Sequence, residues 1–199
     1  MTGIVTIKII KTTLKLAIFV VPLLYYKSVS VKRDKALEEF YKAFEREEYD
    51  RGLWLINQYV EENPKDFGGY LQKGYVLTEL ERTDEAIDAY IMSINRKASV
   101  FESQKMLADC YLEEGKYRKA IVHYGEALKV DKKRISARFN RGVTYMHLEE
   151  YAQAIKDFKS VLKKENGDKN YIYEELTCAY LCVKDLENYE KYTSLMSSK

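Results

Sequence analysis

Proline is nearly absent: Pro22 and Pro64 are the only two in 199 residues, so long stretches are free to run as uninterrupted helix. Glycine is scarce as well, nine in all, and Gly115 and Gly167 stand where a helix would stop. Cysteine is limited to Cys110, Cys178 and Cys182, an odd number without regular spacing, which excludes a disulfide framework. Cys178 and Cys182 share a helix face, but a metal pair there would need two more ligands. The only histidines are His123 and His147, so packing of small apolar side chains is the better reading, and neither a metal nor a cofactor is expected. Also missing are a nucleophile elbow, a Gly-rich phosphate loop and an HExxH pair, which removes the commonest catalytic signatures. His123 adjoins Tyr124 and reads as a helix-surface residue. The chain is not expected to be an enzyme.

Tyrosine, by contrast, is abundant, at eighteen. Amphipathic rings suit a helix seam in which the ring is buried and the hydroxyl stays wet. Charge is unevenly spread. Residues 1–35 set Lys8, Lys11, Lys15, Lys27, Lys32, Arg33 and Lys35 against Asp34, a net +6, and leave 26 bases and 30 acids for the rest, a net −4. A basic head on a mildly acidic body suits an anionic membrane surface. The body shows no basic face in the sequence, so nucleic acid is not an expected partner.

The longest apolar run is Leu16-Ala-Ile-Phe-Val-Val-Pro-Leu-Leu-Tyr-Tyr26. Eleven residues rise only about 16 Å as a helix, against about 30 Å of bilayer core. Extending back to Ile4 reaches spanning length but takes in Lys8, Lys11 and Lys15, which form one helical stripe and can snorkel. Three readings stand: a signal peptide cut near Ser28-Val-Ser30, an uncleaved anchor, or an amphipathic helix packed on the body. We take residues 4–26 as the anchor, with the side of the membrane undetermined because both flanks are basic.

From Arg33 onward the sequence repeats with a period of 34. Windows 67–100, 101–134 and 135–168 abut without a gap. Their eighth positions are Gly74, Ala108 and Gly142, and their eleventh Leu77, Tyr111 and Tyr145. Ala86, Ala120 and Ala154 occupy the twentieth, followed by Ile87, Ile121 and Ile155; Tyr90, Tyr124 and Phe158 hold the twenty-fourth. Segment 33–66 follows the register with Phe40 at 8, Tyr49 at 17, Gly52 at 20, Ile56 at 24 and Pro64 at 32. Segment 170–199 follows it with Leu176 at 7 and Tyr180 at 11, although Tyr189 replaces the small residue at 20 and Thr193 the aromatic at 24.

This pattern resembles the tetratricopeptide repeat, whose consensus has small residues at 8 and 20, a large one at 11 and an aromatic near 24. The resemblance implies an all-α, right-handed solenoid of helix-turn-helix repeats behind an N-terminal hydrophobic helix. It comprises a basic segment at 1–32, a degenerate repeat at 33–66, three good ones, and a degenerate cap at 170–199. Such repeats bind protein or peptide partners in a concave groove lined by positions 2, 5, 9, 12 and 13 of helix A. Here that implies Leu71, Tyr75, Thr78, Glu79, Glu102, Lys105, Asp109, Leu112, Phe139, Val143, Met146 and His147. Leu37, Tyr41 and Phe44 extend the lining at one end; Tyr171, Glu174, Cys178 and Leu181 extend it at the other. Asn140 enters as one position of the family's carboxylate clamp. That clamp maps to Lys105, Asp109, Asn140, Tyr171 and Glu175, of which two match, so an acidic chaperone tail is not the expected ligand. The implied function is a membrane-tethered scaffold or adaptor, with a soluble secretion or assembly chaperone as the alternative; no small-molecule substrate is expected.

Overall fold

The computed structural model describes residues 35–97 and 100–196; the predicted anchor at 4–26 lies outside them. Among the described residues all regular structure is helical, in ten segments. These are α1 (Lys35–Glu45), α2 (Tyr49–Glu62), α3 (Phe67–Glu79), α4 (Thr83–Arg96), α5 (Phe101–Glu113), α6 (Tyr117–Val130), α7 (Ile135–His147), α8 (Tyr151–Leu162), α9 (Asn170–Cys182) and α10 (Leu186–Met196). Helices α3, α5 and α7 begin at residues 67, 101 and 135, the first residues of the three predicted windows. Each helix packs on its neighbours in sequence, most closely within the pairs α1–α2, α3–α4, α5–α6, α7–α8 and α9–α10. This is a helical repeat solenoid, in which no helix can bury its apolar face alone.

The within-pair contact is a small residue under a large ring. Ala86, Tyr90, Ala120, Tyr124, Ala154 and Phe158 are all fully buried. Tyr90 lies so close over α3 that a Cβ added to Gly74 would stand 2.3 Å from its Cε1; at Gly142 the same atom would stand 2.6 Å from Phe158 Cε1. The glycines at position 8 are therefore set by backbone approach. The buried Tyr90 hydroxyl finds a partner: it is 3.0 Å from Thr78 Oγ1, which donates to the Gly74 carbonyl at 3.0 Å.

Every turn between the two helices of a pair has one form. Position 15 takes a left-handed conformation in all five: Glu47, Glu81, Gly115, Glu149 and Lys184, with φ between 58° and 70°. The amide after it bonds five residues back: Glu48 to the Ala43 carbonyl (2.9 Å), Arg82 to Leu77 (2.9 Å), Lys116 to Tyr111 (2.8 Å), Glu150 to Tyr145 (2.9 Å) and Asp185 to Tyr180 (3.0 Å). The position-15 amide bonds three back, as from Gly115 to Leu112 at 3.0 Å. Together these satisfy the last helical carbonyls as a Schellman motif. Only one of the five is glycine; the other four hold a strained conformation because helix packing dictates where the chain must reverse.

Links between pairs recur with the same register. Arg96 Nε donates to the Pro64 carbonyl at 2.5 Å, and Lys164 Nζ to the Lys132 carbonyl at 3.0 Å, each from position 30 to position 32 of the preceding unit. Asp66 caps α3 by accepting from the Gly68 and Gly69 amides at 3.0 and 3.3 Å, and also accepts from Tyr59 OH at 2.8 Å, joining α2 to α3.

Two substitutions separate packing from propensity. Gly74→Ala should lower the unfolding free energy by about 1–3 kcal/mol, the cost of overpacking. Gly52→Ala, whose added Cβ would meet Val76 Cγ2 at an ordinary 3.5 Å, should be neutral or stabilising by up to about 1 kcal/mol. Gly115→Ala tests the turn and should cost about 1 kcal/mol. Urea titration of the three variants checks all of these.

Candidate functional site

The residues that line the first-helix face of each pair do not form one open groove. Towards the N-terminus Leu37, Phe44, Leu71 and Tyr75 are buried, and the Tyr75 ring meets Tyr90 edge-on at 6.0 Å between centroids. Lys105, expected to project into the groove, is buried too. Leu112 is half-buried against the core, and Glu102 is drawn aside by Arg134 at 3.3 Å. Thr78 is spent on Gly74 and Tyr90, and Glu79, at the last turn of α3, is half-buried.

Asp109 organises the middle of the face. One oxygen, Oδ1, accepts from Tyr124 OH at 2.5 Å and from Asn140 Nδ2 at 2.9 Å; the other accepts from Lys105 Nζ. The Lys105 and Asp109 side chains keep only 11% and 16% of their exposure. Three of the five clamp positions thus bond to one another, and none presents a free cation to an incoming carboxylate. Asp109 gathers donors from α5, α6 and α7, so it is a joint of the solenoid before it is a contact for anything else.

Beyond Asn140 the face opens. Phe139 sits between Phe158 (5.5 Å) and Tyr171 (5.0 Å, edge-on), with Val143 and Met146 half-buried beside it. His147 is exposed and stacks on Tyr117 at 4.8 Å with planes 3° apart. Ser136, Glu174 and Cys178 are exposed, and Leu181 keeps 53% of its surface. Tyr171 donates to Glu165 Oε2 at 2.8 Å. Burial and the neighbouring Glu174 push the Glu175 carboxyl above its usual range. The result is an apolar strip with an acidic border and few internal ties.

Nothing in this arrangement activates a nucleophile. Burial pushes the Cys110 thiol up to about 12, and burial together with Glu175 also raises Cys178. His123 stacks on Tyr111, pairs through Nδ1 with Gln104 Oε1 at 2.9 Å, and has its pKa lowered by burial. Among the described residues no group of three or more His, Cys, Asp or Glu could hold a metal ion.

The sequence reading missed one prominent pair. Arg141 grips the buried Asp157 through Nε and Nη2 at 2.7 and 2.8 Å, with Arg138 also 3.8 Å away. Sixteen residues separate the pair across a turn, at positions 7 and 23, where the charged side chains gave no signal apart from interrupting an apolar face.

Two family profiles match the sequence: one described as TPR repeat over residues 108–148, the other as Tetratricopeptide repeat over 135–163. Residues 108–163 thus carry tetratricopeptide repeats. No curated protein matches its sequence. Among solved structures, the chain is similar to MamA of Desulfovibrio magneticus, with a TM-score of 0.74, 14% identity, and coverage of 82% of this chain and 94% of that one. It is also similar to a tetratricopeptide repeat protein of Parabacteroides merdae (TM-score 0.75, 17% identity, 82% and 65% covered). A third is YrrB, described as a TPR protein with an unusual peptide-binding site (TM-score 0.71, 16% identity, 79% and 80% covered). At such identities the likeness is one of fold.

Removing the central joint should show in stability. Asp109→Ala leaves Lys105 and the Tyr124 hydroxyl without their acceptor and should cost about 1–3 kcal/mol. Replacing both members, Lys105→Met with Asp109→Leu, should recover a large part of that loss, because no unpaired charge stays buried. Chemical denaturation of the single and double variants decides it.

Proposed function

We propose that this tetratricopeptide-repeat protein is a non-catalytic adaptor that holds a partner polypeptide on the C-terminal half of its concave face. The repeat fold is a protein-interaction scaffold. What supports the narrower reading is the contrast along that face: buried and internally bonded from Leu71 to Asn140, open and apolar from Val143 to Leu181. An amphipathic helix or extended segment could set apolar anchors against Val143, Met146 and Leu181 and basic residues against Glu174. Residues 4–26 would tether this adaptor to a membrane. Among the described residues no helix is long and apolar enough to cross one, so the tether rests on the sequence of that segment alone.

Photocrosslinking in cells tests the binding face. A crosslinker at Leu181 or His147 should capture a discrete partner, and Leu181→Asp should reduce capture from position 147 at least five-fold. Equal capture of the same partner from Trp54, on an outer helix, would sink the assignment. The tether is tested separately: the full chain should stay in the membrane pellet through alkaline carbonate. Complete release favours the soluble assembly chaperone.

A further inference from the structure

The outward side of the solenoid changes sign along its length. On α4 the exposed charges are Asp84, Glu85 and Asp88; on α8 they are Lys156 and Lys159, with Lys163 at its C-terminal cap. Spaced three and four residues apart, those lysines form one stripe about 10 Å long. At its end Lys164 donates to the Lys132 carbonyl at 3.0 Å, and Arg138 donates to the same oxygen at 2.8 Å, so the loop carrying Lys132 and Lys133 continues the stripe.

What sets this face apart from an ordinary solvated one is where its carboxylates are. Asp157 is buried under Arg141. Glu165 accepts from the Gly167 amide at 2.7 Å and from Tyr171 OH at 2.8 Å. Asp131 holds the Lys133 amide at 2.9 Å and Arg134 at 3.0 Å, and Asp185 is bound by Asn188 at 3.2 and 2.9 Å. Lys159 lies over the Tyr180 ring at 5.4 Å, and its pKa is raised chiefly by Tyr180, with Asp185 a smaller contributor. Among the described residues none of Lys132, Lys133, Lys156, Lys159, Lys163 and Lys164 forms an ion pair. On the preceding outer helix, α6, Val122 and Val130 are exposed at 58% and 44%. Uncompensated lysines on α8 and exposed aliphatics on α6 match a surface that is both anionic and apolar a few ångströms down.

We propose that the α8 face docks on an anionic lipid bilayer, through Lys156, Lys159 and Lys163 with the Lys132–Lys133 loop. The proposal rests on the membrane reading above only for the choice of surface. The net +6 of residues 1–35 adds a second cationic contact in the same chain.

The test uses the full chain and large vesicles of phosphatidylcholine, with and without about 30% phosphatidylserine. Insertion of residues 4–26 reads as binding to the neutral vesicles; α8 docking reads as the increment that phosphatidylserine adds, so either can fail alone. Changing Lys156, Lys159 and Lys163 to Gln should weaken that increment about five-fold per residue, roughly a hundred-fold in all. Raising the salt to 0.5 M should suppress it in the wild type. A control with Lys42, Lys65 and Lys116 changed to Gln should keep most of it, those residues being exposed on other helices and turns. Equal loss in the control, or no loss in the α8 variant, overturns the proposal. So does an α8 variant that loses single-stranded RNA but not phosphatidylserine, which would make the face a nucleic-acid surface.

Discussion

Helix-to-helix approach at position 8 is the constraint on which the solenoid depends. The rings of Tyr90 and Phe158 lie where the Cβ atoms of Gly74 and Gly142 would otherwise be. With that distance set, the turn must reverse within three residues, and the chain accepts glutamate or lysine at positive φ rather than lengthen it. The position-30 links from Arg96 and Lys164 then hold two of the units against the loop before them. Local strain is tolerated because the packed rings over-determine the geometry.

The buried apolar side chains divide into two clusters, Leu37 to Ala137 and Ala154 to Tyr192. Between them stand polar joints, Asp109 with Lys105, Tyr124 and Asn140, and Asp157 with Arg141. Partly buried ion pairs add little net stability, since desolvation offsets much of their attraction. Their contribution here is register: a carboxylate that needs donors from three helices is satisfied in one arrangement only. The junction before the open strip is thus fixed by geometry more than by apolar area.

How far the sequence could be read follows from the range of each interaction. The period, the small residues at 8 and 20 and the aromatics at 24 are repeated locally, and the helices begin where the windows do. Position 15 escaped notice because its conformation is common to all five turns while its residue is not: Gly115 alone signals it. The fate of the groove was less legible still. The family resemblance implies that Lys105 and Asp109 are groove charges, yet Asn140 lies 31 residues beyond Asp109 and Tyr124 15, and only the stacked helices bring them together. The anchor segment, 4–26, is legible as composition and as nothing more.

The same stacking explains why the two faces could serve different partners. Position 9 of an inner helix faces the next repeat, so charges there are captured by neighbours, as Asp109 is. Positions 22, 25 and 29 of an outer helix face water, and their charges remain available, as Lys156, Lys159 and Lys163 do. A repeat protein can therefore change its outer charge without disturbing the joints that set its shape. Its inner face lacks that freedom: Asp109 is held by donors from three helices, whereas Leu181 keeps 53% of its surface. Shape is thus fixed along the inside of the stack, and charge is left free to vary along its back.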